Sequence, residues 1–183
     1  MKRILISVSN DLFTDQRVQK ISNTLIKNGF QVLVIGRRKG QTLNNKFLFK
    51  THRFKLFFNK GFLFYFEFNI CLFFKLLFEK KDFLYANDLD TLLPNYLVHK
   101  LTKTQLIYDS HELFTEVPEL INRPFIQKIW LKIESFILPK LKNSITVNSS
   151  ISEYYNSKYN SCFKVIRNVP ILNLDFKKGK FNF

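Results

Sequence analysis

The stretch RILISVSNDLFTDQRVQKISNTLIKNGFQVLVIG, residues 3–36, decides the fold of this chain. Its two ends, RILISVS (3–9) and QVLVIG (31–36), are short, apolar and rich in β-branched residues, as strands covered on both faces are. Between them, TDQRVQKISNTLIKNG (14–29) puts Val18, Ile21 and Leu25 on one helical face. Thr14 stands where it can cap the start and Gly29 where it can end the helix. A strand, a helix and a strand in immediate succession form a βαβ unit, so the sheet is expected to be parallel.

The same alternation continues outward. After a polar loop containing Gly40, Asn44 and Asn45, THRFKL (51–56) reads as a third strand. Residues 62–79 are apolar almost all round, as in a buried or surface-lying helix. DFLYA (82–86), QLIYD (105–109), SITVN (144–148) and KVIRNV (164–169) read as further strands. TLLPNYLVHKLTK (91–103), RPFIQKIWLKIESFILPKL (123–141) and SSISEYYNSKY (149–159) read as helices. Pro94 is tolerable only in the first turn of its helix, and Ser150-x-x-Glu153 has the capping-box pattern. The fold class expected is α/β: a Rossmann-like three-layer sandwich with a mainly parallel sheet over residues 1–170. The tail, 171–183, shows no periodicity and reads as a linker or the truncated start of another domain.

At 183 residues with 46% hydrophobic content, the chain is one ordinary folded domain. Its 22 Phe accompany abundant Lys, Asn and Ile, all with A/T-rich codons, so the bias carries little weight as a functional signal. A formal charge of +15 favours anionic partners: phosphates, nucleotide-linked substrates, anionic lipid surfaces or nucleic acid. Cys71 and Cys162 lack metal-site spacing, are too few for a disulfide framework and suit a reducing cytosol. The apolar run at the N-terminus is too short for a signal peptide. The nearest approach to a bilayer span, residues 62–78, is interrupted by Glu67, Asn69 and Lys75 and is expected not to qualify.

In parallel sheets, ligands bind beyond the carboxyl ends of the strands. The residues there are Ser9-Asn10-Asp11, Arg37-Arg38, Asn87-Asp88, Ser110-His111-Glu112, Asn148-Ser149-Ser150 and Arg167-Asn168. Six such ends on one edge would form a polar crevice. GxGxxG, P-loop and Gly-x-Ser-x-Gly sequences are absent, and no His and Cys pairing suggests zinc. In YDSHE, His111 follows a strand directly; it could orient a substrate hydroxyl or stabilise developing charge, or simply hydrogen-bond its own loop. Asn87, Asp88 and Asp90 read equally as hydroxyl ligands or helix caps, as do Asn148 and Ser149.

NDLFTDQRVQKISNTLIKNGFQVLVIGR, YANDLDTLLPNYL, YDSHELFTEVPEL and VIRNVP, in this order, resemble the N-terminal domain of bacterial family-4 glycosyltransferases of GT-B fold. The likeness runs from about Lys2 to about Pro170. It implies an acceptor-side domain facing a C-terminal donor domain across a cleft. It also implies metal-free, retaining hexosyl transfer from a nucleotide-sugar to a glycan or lipid-linked acceptor, as in cell-surface polysaccharide synthesis. The nucleotide-sugar is then a substrate bound mainly by the other domain, and no cofactor is implied. The location implied is the cytoplasm, peripheral to the inner face of the cell membrane. His111 matches the family's His near the transferred sugar, and is the catalytic candidate. The candidate substrate-binding positions, taken from the loop after the first strand and from the other strand ends, are Asn10, Asp15, Arg17, Asn87, Asp88, Ser110, Glu112, Asn148 and Asn168. Where the family often has glycines approaching the donor phosphates, this chain has NDLFTDQR, which leaves that work to the side chains of Asp15 and Arg17. The family needs roughly twice this length, and no pair of glutamates seven residues apart follows Asn168. The chain is therefore expected to be half an enzyme, with little or no activity alone.

A second class stays open: a non-catalytic basic domain binding a membrane surface or anionic glycans. RFKLFFNKGFLFYFEFNICLFFKLLFEKK (53–81) either seats a helix on an anionic membrane or packs it against the sheet with lysine stems snorkelling. Nucleic acid ranks low, because the aromatics sit in apolar runs rather than along a basic groove.

Overall fold

The computed structural model describes residues 1–13, 15–38 and 47–169; Thr14, the 39–46 loop and the 170–183 tail lie outside the described residues. Among the described residues seven strands occur: β1 (Arg3–Ser7), β2 (Gln31–Arg37), β3 (Lys50–Phe54), β4 (Phe83–Asn87), β5 (Gln105–Ser110), β6 (Ser144–Thr146) and β7 (Phe163–Val165). They form one sheet in the order β3-β2-β1-β4-β5-β6-β7, and every neighbouring pair is parallel. The order reverses direction between β1 and β4, so the carboxyl ends of these strands border the topological switch point.

Helices α1 (Gln16–Lys27), α2 (Gly61–Phe78), α3 (Leu89–Thr102), α4 (Pro118–Ile121), α5 (Pro124–Ile137) and α6 (Ser149–Tyr159) cover the two faces. On one face, Leu5, Leu33, Ile35, Leu84, Leu106 and Tyr108 pack against α2, α3, α5 and α6. On the other, Ile4, Ile6, Val32, Val34 and Tyr85 pack against Val18, Ile21 and Leu25 of α1. Alternate residues of each strand thus feed two cores, which is why the strands read as continuous apolar runs.

Local chemistry sets the helix ends. Asp15 caps α1, its Oδ1 accepting from Val18 N at 3.0 Å. Gly29, at φ +80°, closes α1 as a Schellman turn: its N–H reaches Ile26 O and the Phe30 N–H reaches Leu25 O. α6 is capped by Asn148, whose Oδ1 accepts from Ile151 N at 2.9 Å, two residues ahead of the expected Ser150. The last strand stops at Val165, short of the expected Val169, because pairing with β6 ends at Thr146.

Two expectations are corrected. Pro94 sits inside α3, beyond its first turn, because that helix starts at Leu89, two residues early. The early start follows from Asp88, whose backbone at φ 57° turns the chain directly out of β4. Residues 62–78 also fail to behave as an interrupted segment. α2 is an unbroken 18-residue helix with mean hydropathy 1.6, long and apolar enough to cross a membrane by length and composition alone. Glu67 and Lys75 do not break it: Glu67 accepts the Phe57 and Phe58 N–H groups, and Lys75 pairs with Glu79 at 2.6 Å. One stripe of α2, Phe64, Phe68, Leu72 and Leu76, is buried against the sheet.

Candidate functional site

The parallel sheet brings the strand ends to one edge, and two cavities open there. The first, a crevice of about 780 Å³, is lined by Asn10, Asp15, Gln16, Arg17, His111, Asn148, Arg167 and Asn168, which follow β1, β5, β6 and β7. The second, a groove of about 760 Å³, runs between α2 and α5 and ends at Asn10, Asp88, Asp90 and Glu112. Asn10 borders both. Arg37 ends β2 at this edge but lines neither cavity; its guanidinium stacks on Phe64 at 4.5 Å and bonds Asn59 O.

His111 and Asp88 join the two cavities. His111 Nδ1 lies 3.1 Å from Asp88 Oδ2, and the His111 backbone N–H donates to Asp88 Oδ1 at 2.9 Å. Asp88 holds a left-handed backbone that costs a non-glycine residue on the order of 1–3 kcal/mol. The two bonds to His111, with the Asp88 N–H donated to Asp109 O at 2.9 Å, fix it in that conformation.

Behind the imidazole lies a buried charge network. Arg17 Nε and a terminal guanidinium nitrogen grip the two oxygens of Asp109 at 2.9 and 2.7 Å, the bidentate geometry that makes such pairs strong. The Tyr85 hydroxyl donates to the same carboxylate at 2.8 Å. His111 Nε2 is buried 3.4 Å from Asp109 Oδ2, without hydrogen-bond geometry. Burial alone would lower the imidazole pKa, but Asp109 and Asp88 outweigh it and raise it to about 10. At neutral pH His111 is therefore an imidazolium paired with these two carboxylates, and unsuited to accepting a proton. Burial likewise opposes ionisation of Asp109, yet His111 and Arg17 hold its carboxyl below the usual range.

Asp90, at the floor of the groove, is buried and bonded to the Ser9 hydroxyl. Desolvation, then repulsion from Asp88, pushes its carboxyl up to about 7 against the pull of Ser9. Glu112, at the polar end of the groove, is raised by burial and by Asp88 and Glu119.

The sequence-derived residues divide accordingly. Asn10, Asp15, Arg17, His111, Asn148 and Asn168 line the crevice, and Asp88 and Glu112 line the groove. Several also have structural partners: Asp15 and Asn148 cap helices, Arg17 is committed to Asp109, and Asn168 accepts from Lys20 at 3.2 Å. Asn87 and Ser110 line neither cavity. Asn87 Nδ2 donates to Ser7 O, leaving its buried Oδ1 unpartnered, and Ser110 Oγ donates to Glu112 O. Sequence reasoning missed Asp109 and Tyr85 as the supports of His111. An Asp ending an otherwise apolar strand was the available signal for the first; nothing marked Tyr85 apart from a core aromatic. Among the described residues no group of three or more His, Cys, Asp or Glu is disposed to hold a metal ion.

No family model matches the chain, and no curated protein sequence matches it. Solved structures do. Sucrose-phosphate synthase from Thermosynechococcus elongatus matches with a TM-score of 0.69 at 14% identity, over 91% of this chain and 48% of that one. Anabaena HepE, solved with UDP and glucose, matches with a TM-score of 0.61 at 16% identity, over 92% and 45%. Acinetobacter baumannii MurG matches with a TM-score of 0.56 at 10% identity, over 96% and 47%. The chain thus spans about half the length of these structures. At such identities the likeness is one of fold: this is a Rossmann-like α/β domain of the kind that GT-B glycosyltransferases contain.

Proposed function

We propose that the chain is the acceptor-side, N-terminal domain of a family-4 glycosyltransferase. It works with a donor-side domain to move a hexosyl group from a nucleotide-sugar to a glycan or lipid-linked acceptor, with retention of configuration. The observation that carries this reading is the His111–Asp88 pair at the junction of two chemically different cavities. The crevice sets Arg167 and the His111 ring beside the space an anion such as a diphosphate would fill. The groove ends in carboxyl groups that accept hydrogen bonds from hydroxyls, and its walls are apolar. Donor and acceptor would meet at the pair. There a fixed cation stabilises the charge that gathers on the departing phosphate, and Asp88, bonded to it, faces the acceptor. The shape shared with sucrose-phosphate synthase, HepE and MurG supports the same reading.

The test is transfer of labelled sugar from UDP-, GDP- and dTDP-sugars by the protein purified from its own cells, with any donor-side domain that accompanies it in the same chain or a separate one. His111→Ala should lower kcat by about 10²–10³ while the protein stays folded. Transfer that survives the substitution undiminished would refute the role of His111. A protein that transfers nothing yet binds polyanions would instead be a basic binding module.

A further inference from the structure

The outer face of α2 is unusually apolar. Opposite its buried stripe, Phe62, Phe66, Ile70, Phe74 and Phe78 recur every fourth residue, between 42% and 79% exposed. Phe62 stacks on Phe66 and Phe74 on Phe78, so the stripe is a continuous aromatic ridge roughly 24 Å long at 1.5 Å per residue. Just before the helix, Phe57 is 91% exposed, and its loop is not left slack: Glu67 accepts the Phe57 N–H at 3.0 Å and the Phe58 N–H at 3.0 Å. These bonds tie Glu67, the acidic side chain in the middle of α2, to the preceding loop. Exposed Lys55, Lys60 and Lys80 flank its two ends. Soluble monomers rarely show an apolar surface of this extent, and it commonly marks an interaction site.

We infer that this face docks on an anionic phospholipid bilayer, with α2 lying along the surface and its Phe side chains inserted among the acyl chains. Charge complementarity decides the occupant: lysines bracket the ridge, and the whole chain carries +15. The groove between α2 and α5 opens beside the same ridge through Phe62, Phe66, Ile70 and Phe74 and leads to Asp88 and Glu112. Docking would therefore set the groove mouth at the bilayer surface. This goes beyond the transfer reading and needs no transfer to be observed.

Trp130, the only tryptophan, lines that groove and gives a probe that needs no substitution. The full chain is mixed with vesicles of phosphatidylcholine containing phosphatidylglycerol, with bromine-labelled acyl chains. Trp130 fluorescence should be quenched, and the protein should sediment with the vesicles. Vesicles of phosphatidylcholine alone, or added salt, should weaken binding at least tenfold. Phe66→Ser with Phe74→Ser should weaken it roughly tenfold per residue, with the circular dichroism spectrum unchanged because both side chains are on the surface. Equal binding to neutral and anionic vesicles would overturn the proposal, as would no binding to either. A dimer in solution that the two substitutions dissolve, without vesicle binding, would assign the face to a second copy instead.

Discussion

At the scale of single residues, the site depends on carboxylates placed around one imidazole. Because the His111 pKa rises from 6.5 in the unfolded chain to about 10 in the folded one, its contribution to stability is fully present below pH 6.5 and is lost as pH rises through 10. His111→Gln should therefore destabilise the protein most at pH 6 and progressively less toward pH 10, as measured by denaturant unfolding at several pH values. Asp90 works in the opposite sense for a carboxyl. Its pKa is raised to about 7, so the folded state keeps a proton that the unfolded state has released, and stability falls as pH climbs from about 4 to 7. The Arg17–Asp109 pair is buried at both ends, with 6% and 0% of the side chains exposed. Arg17→Met leaves the carboxylate without its main partner and should cost about 3–5 kcal/mol of unfolding free energy. A cost below about 1 kcal/mol would mean that Tyr85 and His111 suffice to hold Asp109.

At the scale of elements, α2 has two faces with opposite expectations. Phe68 is fully buried among sheet and helix side chains, and Phe68→Ala should cost about 3–5 kcal/mol. Phe66 is 56% exposed, and Phe66→Ser should change stability by no more than about 0.5 kcal/mol. Thermal or denaturant unfolding of the two variants side by side would show equal losses if the helix instead packed on both faces. β2 closes tightly on the segment after β1. A Cβ at Gly36 would meet Val8 O at 3.1 Å and Val8 Cγ1 at 3.3 Å. Gly36→Ala should therefore destabilise by roughly 1–3 kcal/mol.

The elements were largely legible because their signals are local. Apolar runs marked every strand but the polar edge strand β3, and Pro124 marked the start of α5. The boundaries that went astray depended on partners distant in sequence. α3 begins early because Asp88 is tied to Asp109 and His111 on the next strand. α4 and the single turn at Phe114–Glu116 are too short to show a period. At the candidate site, the polar run DSHE marked a strand end that opens on a cavity, but not its partners: Arg17 meets Asp109 across 92 residues of sequence, a choice that no spacing encodes.

At the scale of the whole molecule, the proposed function is assigned to the place where the two cavities meet. The fold delivers strand ends to one edge; the switch between β1 and β4 puts Asn10 and Asp88 on one groove, and β5 brings His111 against Asp88. One face of the sheet carries four helices, whereas among the described residues the other carries α1 alone. The account rests above all on His111 standing at that junction as a clamped cation. With three histidines in the chain, its ring resonances can be followed by NMR between pH 5 and 11. The account predicts that His111 stays protonated through pH 8 and titrates near 10, and that Asp88→Asn lowers that midpoint. A wild-type His111 titrating near 6.5, unmoved by Asp88→Asn, would contradict it.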